Sequence, residues 1–166
     1  MPKKTKSKSA IKSVSAPKSR PATTADADIM LRTYEQRRDP KLRDARNYIL
    51  FQWAPTTADE FAATAFNFGT QEQTYFRMVL SYWEQTAALA DRGAVHQELF
   101  DDFSGELFFL FAKYGDFFHI MRERMNPNFG KHMEAVANAT PERRARVELA
   151  RKTIASRRAQ PKAAGQ

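Results

Sequence analysis

The residues from Thr70 to Gly93, TQEQTYFRMVLSYWEQTAALADRG, constrain the fold of this chain more than any other stretch. On a helix of about 3.6 residues per turn, six apolar side chains fall in one stripe: Phe76, Val79, Leu80, Trp83, Ala87 and Ala90. Four more widen the apolar surface beyond that stripe: Tyr75, Met78, Tyr82 and Leu89. A helix that is apolar over more than half of its circumference has neighbours on two sides. The stretch therefore predicts a long helix at the centre of a helical bundle.

Both ends of this central helix are marked in the sequence. Thr70 is a suitable N-cap residue, with Gln73 three positions further on in the pattern of a capping box. Gly93 stands just beyond the last apolar residues, where a helix commonly ends in a left-handed residue. We therefore expect the helix to run from Thr70 to Asp91.

A second aromatic segment predicts the partner of the central helix. From Gly105 to Met125, seven large apolar side chains lie on one broad side: Leu107, Leu110, Phe111, Tyr114, Phe117, Phe118 and Met121. The remaining segments show shorter helical patterns, and none shows the alternation of apolar and polar residues that is typical of a strand. The predicted fold is all-α, a compact bundle of five to seven helices around a central antiparallel hairpin of Thr70–Asp91 and Gly105–Met125.

The charge is distributed unevenly along the chain. Residues 1–22 carry +7, residues 23–140 carry −5 and residues 141–166 carry +6, within a formal net charge of +8. Residues 1–23 are rich in Lys, Ser and Pro, and they predict a disordered basic tail because they cannot bury enough apolar surface to fold. The rest of the predicted organisation is a helical domain over residues 24–139, a basic C-terminal helix over residues 140–160 and a frayed tail over residues 161–166. We expect the C-terminal helix to be exposed, either laid against the body or extending away from it.

The basic N-terminal tail permits two interpretations. Its cations can be held to phosphate through the release of counterions, and nucleic acid is the usual target of such an arm. The candidate contacts are Lys3, Lys4, Lys6, Lys8, Lys12, Lys18 and Arg20. The simpler interpretation, which a run of like charges favours, is a solvated tail that has no specific partner.

The chain lacks the motifs that predict a known chemistry. It contains no Cys, which excludes disulfides, thiolate metal sites and a cysteine nucleophile. It also contains no phosphate-binding glycine loop, no nucleophile elbow and no HExxH zinc motif. His96, His119 and His132 are isolated, and no Glu precedes a His at the spacing of a carboxylate metal bundle. The sequence predicts no catalytic residue, no cofactor and no metal, and it favours a protein that is not an enzyme.

Arg122 lies at the margin of the aromatic side of the second long segment. A charge among aromatic side chains needs a partner, because leaving it buried and unpaired is costly. If the two long helices pack antiparallel, Arg122 meets a carboxylate, with Glu84 the favoured partner and Glu106 an outside candidate. The alternative is that Arg122 extends along its aliphatic stem to reach water. Either arrangement has a structural role more often than a catalytic one.

No apolar run approaches the roughly 20 residues that a membrane-spanning helix needs. The N-terminus also lacks the apolar segment of a secretory signal. We therefore expect a cytoplasmic protein without a membrane span.

Four segments of the sequence carry a resemblance to a known family. They read, in order, RTYEQRRDPKLRDARN, SYWEQTAALADRGAVHQELF, SGELFFLFAKY and NPNF, and the most specific pieces are residues 82–84 and 104–106. From about Asp26 to Ala139 the chain resembles an uncharacterised bacterial all-helical family that is known only as a domain of unknown function. The resemblance implies a helical fold. It implies no catalytic residue, because the family has no assigned reaction.

Three classes of function are consistent with these observations. The leading hypothesis is a non-enzymatic helical scaffold or interaction domain that binds an unidentified protein, with the narrow C-terminal helix as one route. The second is association with nucleic acid or an anionic surface through the two basic ends. The third is an enzyme with an unfamiliar site, which would need a concave pocket lined by polar groups such as Glu84, Glu106 or His119.

Overall fold

A computed structural model describes residues 20–159 of the 166-residue chain. Within those residues the fold consists of nine α-helices, one π-helical turn and one 3-10 turn, and it contains no strand. The all-α prediction is confirmed. Most of the predicted tail over residues 1–23, together with the predicted frayed end over residues 161–166, lies outside the described residues.

The helices follow one another with short connections. They are α1 (Thr24–Gln36), α2 (Pro40–Asn47), α3 (Ala58–Ala65), α4 (Gln71–Asp91), α5 (Gln97–Phe103), α6 (Gly105–Tyr114), α7 (Phe118–Arg124), α8 (Lys131–Asn138) and α9 (Pro141–Ala159). The π-helical turn (Tyr48–Gln52) continues α2, and the 3-10 turn (Gly115–Phe117) separates α6 from α7.

The ends of the central helix α4 agree with the sequence prediction. The Thr70 hydroxyl accepts a hydrogen bond from the backbone N–H of Gln73 at 3.3 Å, which satisfies one of the free amides at the start of the helix. Gly93 has a φ of +70°, the left-handed conformation that commonly ends a helix. Both predicted boundary signals are confirmed.

The second long helix is not continuous, contrary to the prediction of one helix over Gly105–Met125. It divides at Gly115 into α6, the 3-10 turn and α7. Gly115 lies so close to the ring of Phe111 that a Cβ atom at this position would approach the ring within 2.9 Å. Glycine is also a weak helix former, so this close contact falls where the helix is easiest to interrupt. This division, together with the separate short helix α5, gives more helices than the five to seven predicted.

The closest neighbours of the central helix also differ from the prediction. α4 packs most extensively on α2 and α8, whereas α6 packs most extensively on α9. The short helix α8 also contacts α6 and α9, so it takes the place expected for α6 beside α4. It buries Met133, Val136 and Ala137 there.

The aromatic side chains form the core, as their helical spacing predicts. Trp83 and Phe111 are 1% and 7% exposed. Trp53 stacks between the rings of Phe61, at 5.5 Å, and Tyr114, at 5.0 Å. Such offset contacts add about 0.5–1.5 kcal/mol each to the burial of the rings.

Lys113 and Tyr114 on α6 hold the C-terminal end of the π-helical turn. The Lys113 ammonium donates to the backbone carbonyls of Ile49, at 2.7 Å, and Leu50, at 3.1 Å. The Tyr114 hydroxyl lies within hydrogen-bond distance of the carbonyls of Ile49, at 2.6 Å, and Trp53, at 2.8 Å. These side chains supply donors to carbonyls that the end of a helix leaves without partners.

The C-terminal helix α9 lies against the body of the domain. Its narrow apolar line, Val147 and Ile154, is buried, so the helix adopts the first of the two arrangements that the sequence left open, laid against the body or extending away from it. Leu149 points away from the line and is 66% exposed, in agreement with its position on the helical wheel. The apolar line of α9 is therefore used within the fold.

Candidate ligand-binding site

A cavity of about 460 Å³ opens between α4, the end of α7 and the start of α8. Its apolar wall consists of Leu80, Met121, Met125, Phe129 and Met133. Its polar lining consists of Gln73, Arg77, Ser81, Glu84, Asn126, Asn128, Lys131 and His132. Small-molecule sites typically measure roughly 300–1,000 Å³ and combine an apolar wall with a few polar groups. This cavity is the candidate functional site.

The α4 side of the cavity is one face of the helix. Gln73, Arg77, Leu80 and Glu84 follow at spacings of three and four residues, so they stand one above another along the cavity. Gln73 is only 2% exposed, and no hydrogen bond joins its side-chain amide to any of residues 20–159. Buried amide groups in proteins are nearly always hydrogen-bonded. The cavity is therefore lined by a polar group that can bind a ligand.

Glu84 forms the junction between α4 and α8. The residue before α8 is Gly130, which has a φ of +65° and no side chain to cap the helix. The carboxylate of Glu84 takes that role by accepting hydrogen bonds from the backbone amides of His132 and Met133, each at 3.0 Å. A negative charge is favourable at a helix N-terminus, where free amides point outward. Glu84 thus shapes the cavity and stabilises α8.

Arg122 has a carboxylate partner, but the predicted partner is wrong. Its guanidinium pairs with Glu134 at 2.7 Å and donates from Nε to the Phe129 carbonyl at 2.9 Å. Glu84, the favoured candidate, binds the amides of α8 instead. The reason is the turn after α7, which folds the chain back so that Glu134 reaches Arg122. Arg122 therefore fastens the loop that forms the far wall of the cavity.

His132 ties the rim of the cavity back to the end of α4. Its Nδ1 lies 2.6 Å from the carboxylate of Asp91. His119, by contrast, is exposed on α7, and its Nδ1 lies 2.8 Å from the carbonyl of Asp116 in the preceding turn. Of the polar groups named for an enzyme pocket, only Glu84 lines this cavity.

Glu106, the outside candidate for Arg122, belongs to a different network. It accepts hydrogen bonds from Arg37 at 2.9 Å, from Arg46 at 2.6 Å and from the indole N–H of Trp83 at 2.9 Å. Its side chain is 9% exposed. Glu106 thus joins α2, α4 and α6 to the end of α1, because Arg46, Trp83 and Glu106 lie on these three helices and Arg37 directly follows α1.

Only one of the predicted anion contacts in the N-terminal tail is described. Arg20 binds the carboxylate of Asp26 on α1 through two hydrogen bonds of 2.7 and 2.5 Å. Asp26 also accepts from the Thr23 hydroxyl and from the backbone amide of His96, at 2.6 and 2.8 Å, and these contacts join the start of α1 to the start of α5. Thr23 is the N-cap of α1. The six other candidates, Lys3, Lys4, Lys6, Lys8, Lys12 and Lys18, lie outside the described residues.

The sequence did not predict this cavity. Gln73 entered only as part of a helix cap, since nothing in the spacing of α4 distinguishes a cavity wall from a packed core face. The far wall depends on the turn from Met125 to Gly130, and its path is set by contacts with α7 and α8. The methionines were the available signal, because Met121, Met125 and Met133 lie within a short stretch and Met side chains adapt to ligands.

The described part of the chain contains neither a metal-binding cluster nor a membrane-spanning helix. Residues 20–159 contain no group of three or more His, Cys, Asp or Glu side chains arranged to hold a metal ion. No helix among them is long and apolar enough to span a membrane.

Comparison with known proteins places the chain in a family. No curated protein and no solved structure matches it. A family model described as a domain of unknown function, DUF4760, matches residues 22–140, which include α1 to α8 and the whole lining of the cavity. This range contains the segments on which the resemblance rested. The chain therefore belongs to the DUF4760 family, a domain of unknown function.

Proposed function

We propose that this protein is a non-enzymatic helical binding domain that holds a small amphipathic molecule in the cavity between α4 and α8. The observation that carries the proposal is Gln73, a buried residue of the cavity lining whose side-chain amide has no hydrogen-bond partner among residues 20–159. A ligand that accepts or donates a hydrogen bond at Gln73 would pair with this amide inside the cavity.

The charges around the cavity favour an anionic head group on the ligand. Arg77 and Lys131 line the cavity, and neither has a carboxylate partner among residues 20–159. Glu84 is the acidic residue of the lining, and its charge is used at the start of α8. The chemical class that suits this arrangement is an apolar chain ending in a carboxylate.

The lining favours binding over catalysis. The Glu84 carboxylate is held by two backbone amides, so it is poorly placed to take a proton from a substrate. Ser81, the hydroxyl group of the lining, donates to the carbonyl of Arg77 in its own helix. A nucleophile with an adjacent base, which covalent catalysis requires, is not formed by these residues.

The proposal is tested by titrating the full chain with decanoate and with 1-decanol under calorimetry. We expect saturable binding of both, with decanoate binding more tightly because of Arg77 and Lys131. Gln73→Leu should weaken binding about tenfold, and Lys131→Gln should weaken decanoate more than decanol. Gln85→Leu, on an exposed position of α4 outside the cavity, is the matched control and should leave binding unchanged. Absence of saturable binding, or equal binding by Gln73→Leu and the native chain, would contradict the proposal.

We also propose that the helical domain over residues 24–139 and the helix over residues 140–160 fold as one unit. The packing of α9 on α6 supports this, as does Arg143, which is 4% exposed and bonds Asp101 at 2.9 Å and Gln97 at 2.8 Å. Removing α9 would expose the apolar side of α6. A chain truncated after residue 139 should therefore lose its cooperative unfolding transition.

Several arginines of the C-terminal helix already have hydrogen-bond acceptors within the domain. Arg143 and Arg151 bind carboxylates, while Arg146 and Arg158 donate to the carbonyls of Asp101 and Pro55. Association with nucleic acid would then depend mainly on the N-terminal lysines. Retention on DNA or RNA at low salt that is lost when residues 1–19 are deleted would support this alternative function.

A further inference from the structure

A second cavity, of about 350 Å³, lies where α1 turns into α2. It is lined by Tyr34, Arg37, Arg38, Arg43 and Arg46, and we call it the arginine pocket. It shares no lining residue with the cavity between α4 and α8. In the sequence these arginines form a basic block with Glu35, Asp39 and Asp44 interleaved, a pattern that by itself indicates surface ion pairs.

Glu106 is the carboxylate on the inner side of the arginine pocket, and its oxygens already accept hydrogen bonds from other side chains. Glu106 is bound by Arg37, Arg46 and Trp83 together. Arg37 lies over the rings of Tyr34 and Trp83, at 5.7 and 5.2 Å. Its Nε is buried and has no hydrogen-bond acceptor among the described residues. The inner two guanidinium groups are therefore held in place by Glu106.

The outer two guanidinium groups are more readily available to a ligand. Arg43 has no carboxylate partner among residues 20–159. Arg38 pairs with Glu35 at 3.0 Å, but both side chains are largely exposed, and such pairs contribute only about 0–1 kcal/mol. Four guanidinium groups thus line one pocket, and no acidic residue belongs to its lining.

We propose that the arginine pocket binds a phosphoryl group carried by a small molecule. Guanidinium groups present paired N–H donors that match the oxygens of phosphate, and their cost of desolvation is lower than that of an ammonium group. Arg38 and Arg43 bind the phosphoryl oxygens directly. Arg37 and Arg46, which Glu106 orients, supply the fixed positive charge behind them.

The two tryptophans of the chain provide a direct test. The Trp83 indole N–H bonds Glu106 beside Arg37 and Arg46, whereas Trp53 lies in the aromatic core between Phe61 and Tyr114. Titration of the ¹⁵N-labelled full chain with pyrophosphate should shift the Trp83 indole signal in a saturable way and leave the Trp53 signal in place. Inorganic phosphate should bind more weakly, and sulfate at the same ionic strength more weakly than pyrophosphate.

Variants distinguish specific binding in the arginine pocket from general attraction of an anion to positive charge. Arg43→Gln should weaken pyrophosphate binding about tenfold. The matched control, Arg32→Gln, removes an exposed arginine from α1 outside the pocket and should have little effect. ADP extends the test: tighter binding of ADP than of pyrophosphate identifies a nucleotide as the carrier, and the reverse identifies the free anion. An unmoved Trp83 signal, equal shifts with sulfate, or equal losses in Arg43→Gln and Arg32→Gln would overturn the proposal.

Discussion

The indole N–H of Trp83 donates to Glu106 at 2.9 Å, and this bond joins the two segments that carry the most specific part of the family resemblance. Arg37 and Arg46 complete the coordination of the same carboxylate. Three helices and the end of α1 therefore meet at one buried negative charge. The network positions the inner arginines of the arginine pocket and fixes α1 and α2 against the central helix.

Replacing Glu106 with Gln should destabilise the protein by about 3 kcal/mol, because two largely buried guanidinium groups lose their counter-charge while the side-chain volume stays the same. Urea denaturation measures the change in the free energy of unfolding. The control is Glu35→Gln, which breaks the exposed pair with Arg38 and should change stability by less than about 0.5 kcal/mol. Equal effects of the two variants would contradict the assignment of Glu106 as a structural centre.

Gly130→Ala should destabilise the protein by roughly 2–4 kcal/mol for two reasons. The residue has a φ of +65°, and its Cβ would lie 2.3 Å from the ring of Phe118, which is 1% exposed and has no room to move. The matched control is Gly93→Ala, with a φ of +70° and no atom within 4 Å of the added Cβ. Thermal unfolding should show the larger loss at Gly130, and a loss no larger than that of Gly93→Ala would contradict the tight contact.

Lys113 should make the protein more stable as the pH rises above neutrality. Burial, assisted by Arg158 and Arg157, lowers the pKa of Lys113 to about 8. Above pH 8 the unfolded chain then binds more protons than the folded one, so the free energy of unfolding increases with pH. From about pH 7 to pH 9 the increase due to this group is about 1 kcal/mol.

The variant Lys113→Met isolates this effect. Between about pH 7 and pH 9, the free energy of unfolding of the native chain should rise relative to that of Lys113→Met. Measurements should stop near pH 9, because burial raises the pKa of Tyr114 well above its usual value. Deprotonation of this tyrosine in the unfolded chain lowers stability at higher pH. Parallel pH profiles for the native and Lys113→Met chains would contradict a lowered pKa.

Asp26 should make the protein sensitive to acid. The hydrogen bonds from Arg20 and then from Thr23 hold the pKa of this carboxyl well below its usual range. Its contribution to stability is complete above about pH 5 and is lost as the pH falls, because the unfolded chain takes up the proton first. Asp26→Asn should therefore be less stable than the native chain at neutral pH and should lose less stability between about pH 5 and pH 2. The control is Asp28→Asn, on an exposed position of the same helix, which should change stability by less than about 0.5 kcal/mol at neutral pH.

Local signals made much of the secondary structure predictable. Thr70 and Gly93 mark helix ends through contacts within a few residues, and the structure has helix ends at both of them. The aromatic core was predictable for the same reason, because apolar spacing along one helix reveals which side is buried.

The order of packing was not predictable, since several helices carry apolar sides of similar width. The sequence indicates that α4 needs neighbours on two sides, but it does not indicate that α8 and α2 fill these positions. The Arg122 prediction failed for this reason: the need for a carboxylate was correct, whereas the choice among Glu84, Glu106 and Glu134 depends on how the loop after α7 folds.

The two cavities were beyond sequence reasoning for a related reason. Each is formed by residues from elements whose relative placement is set by many weak contacts. The arginines at 37, 38, 43 and 46 were visible as a basic block, but their convergence on one pocket depends on the turn between α1 and α2 and on Glu106, which is distant in sequence.

Access of a ligand to the cavity depends on how α8 is capped at its first turn. Because the helix begins on a glycine without a capping side chain and takes its cap from Glu84, the amides of His132 and Met133 are protected only while α4 and α8 are in contact. Separation of these two helices would unravel the first turn of α8 and dismantle the binding cavity in one event. The rate of hydrogen exchange at these two amides therefore reports how often the cavity opens, and a bound ligand should lower that rate.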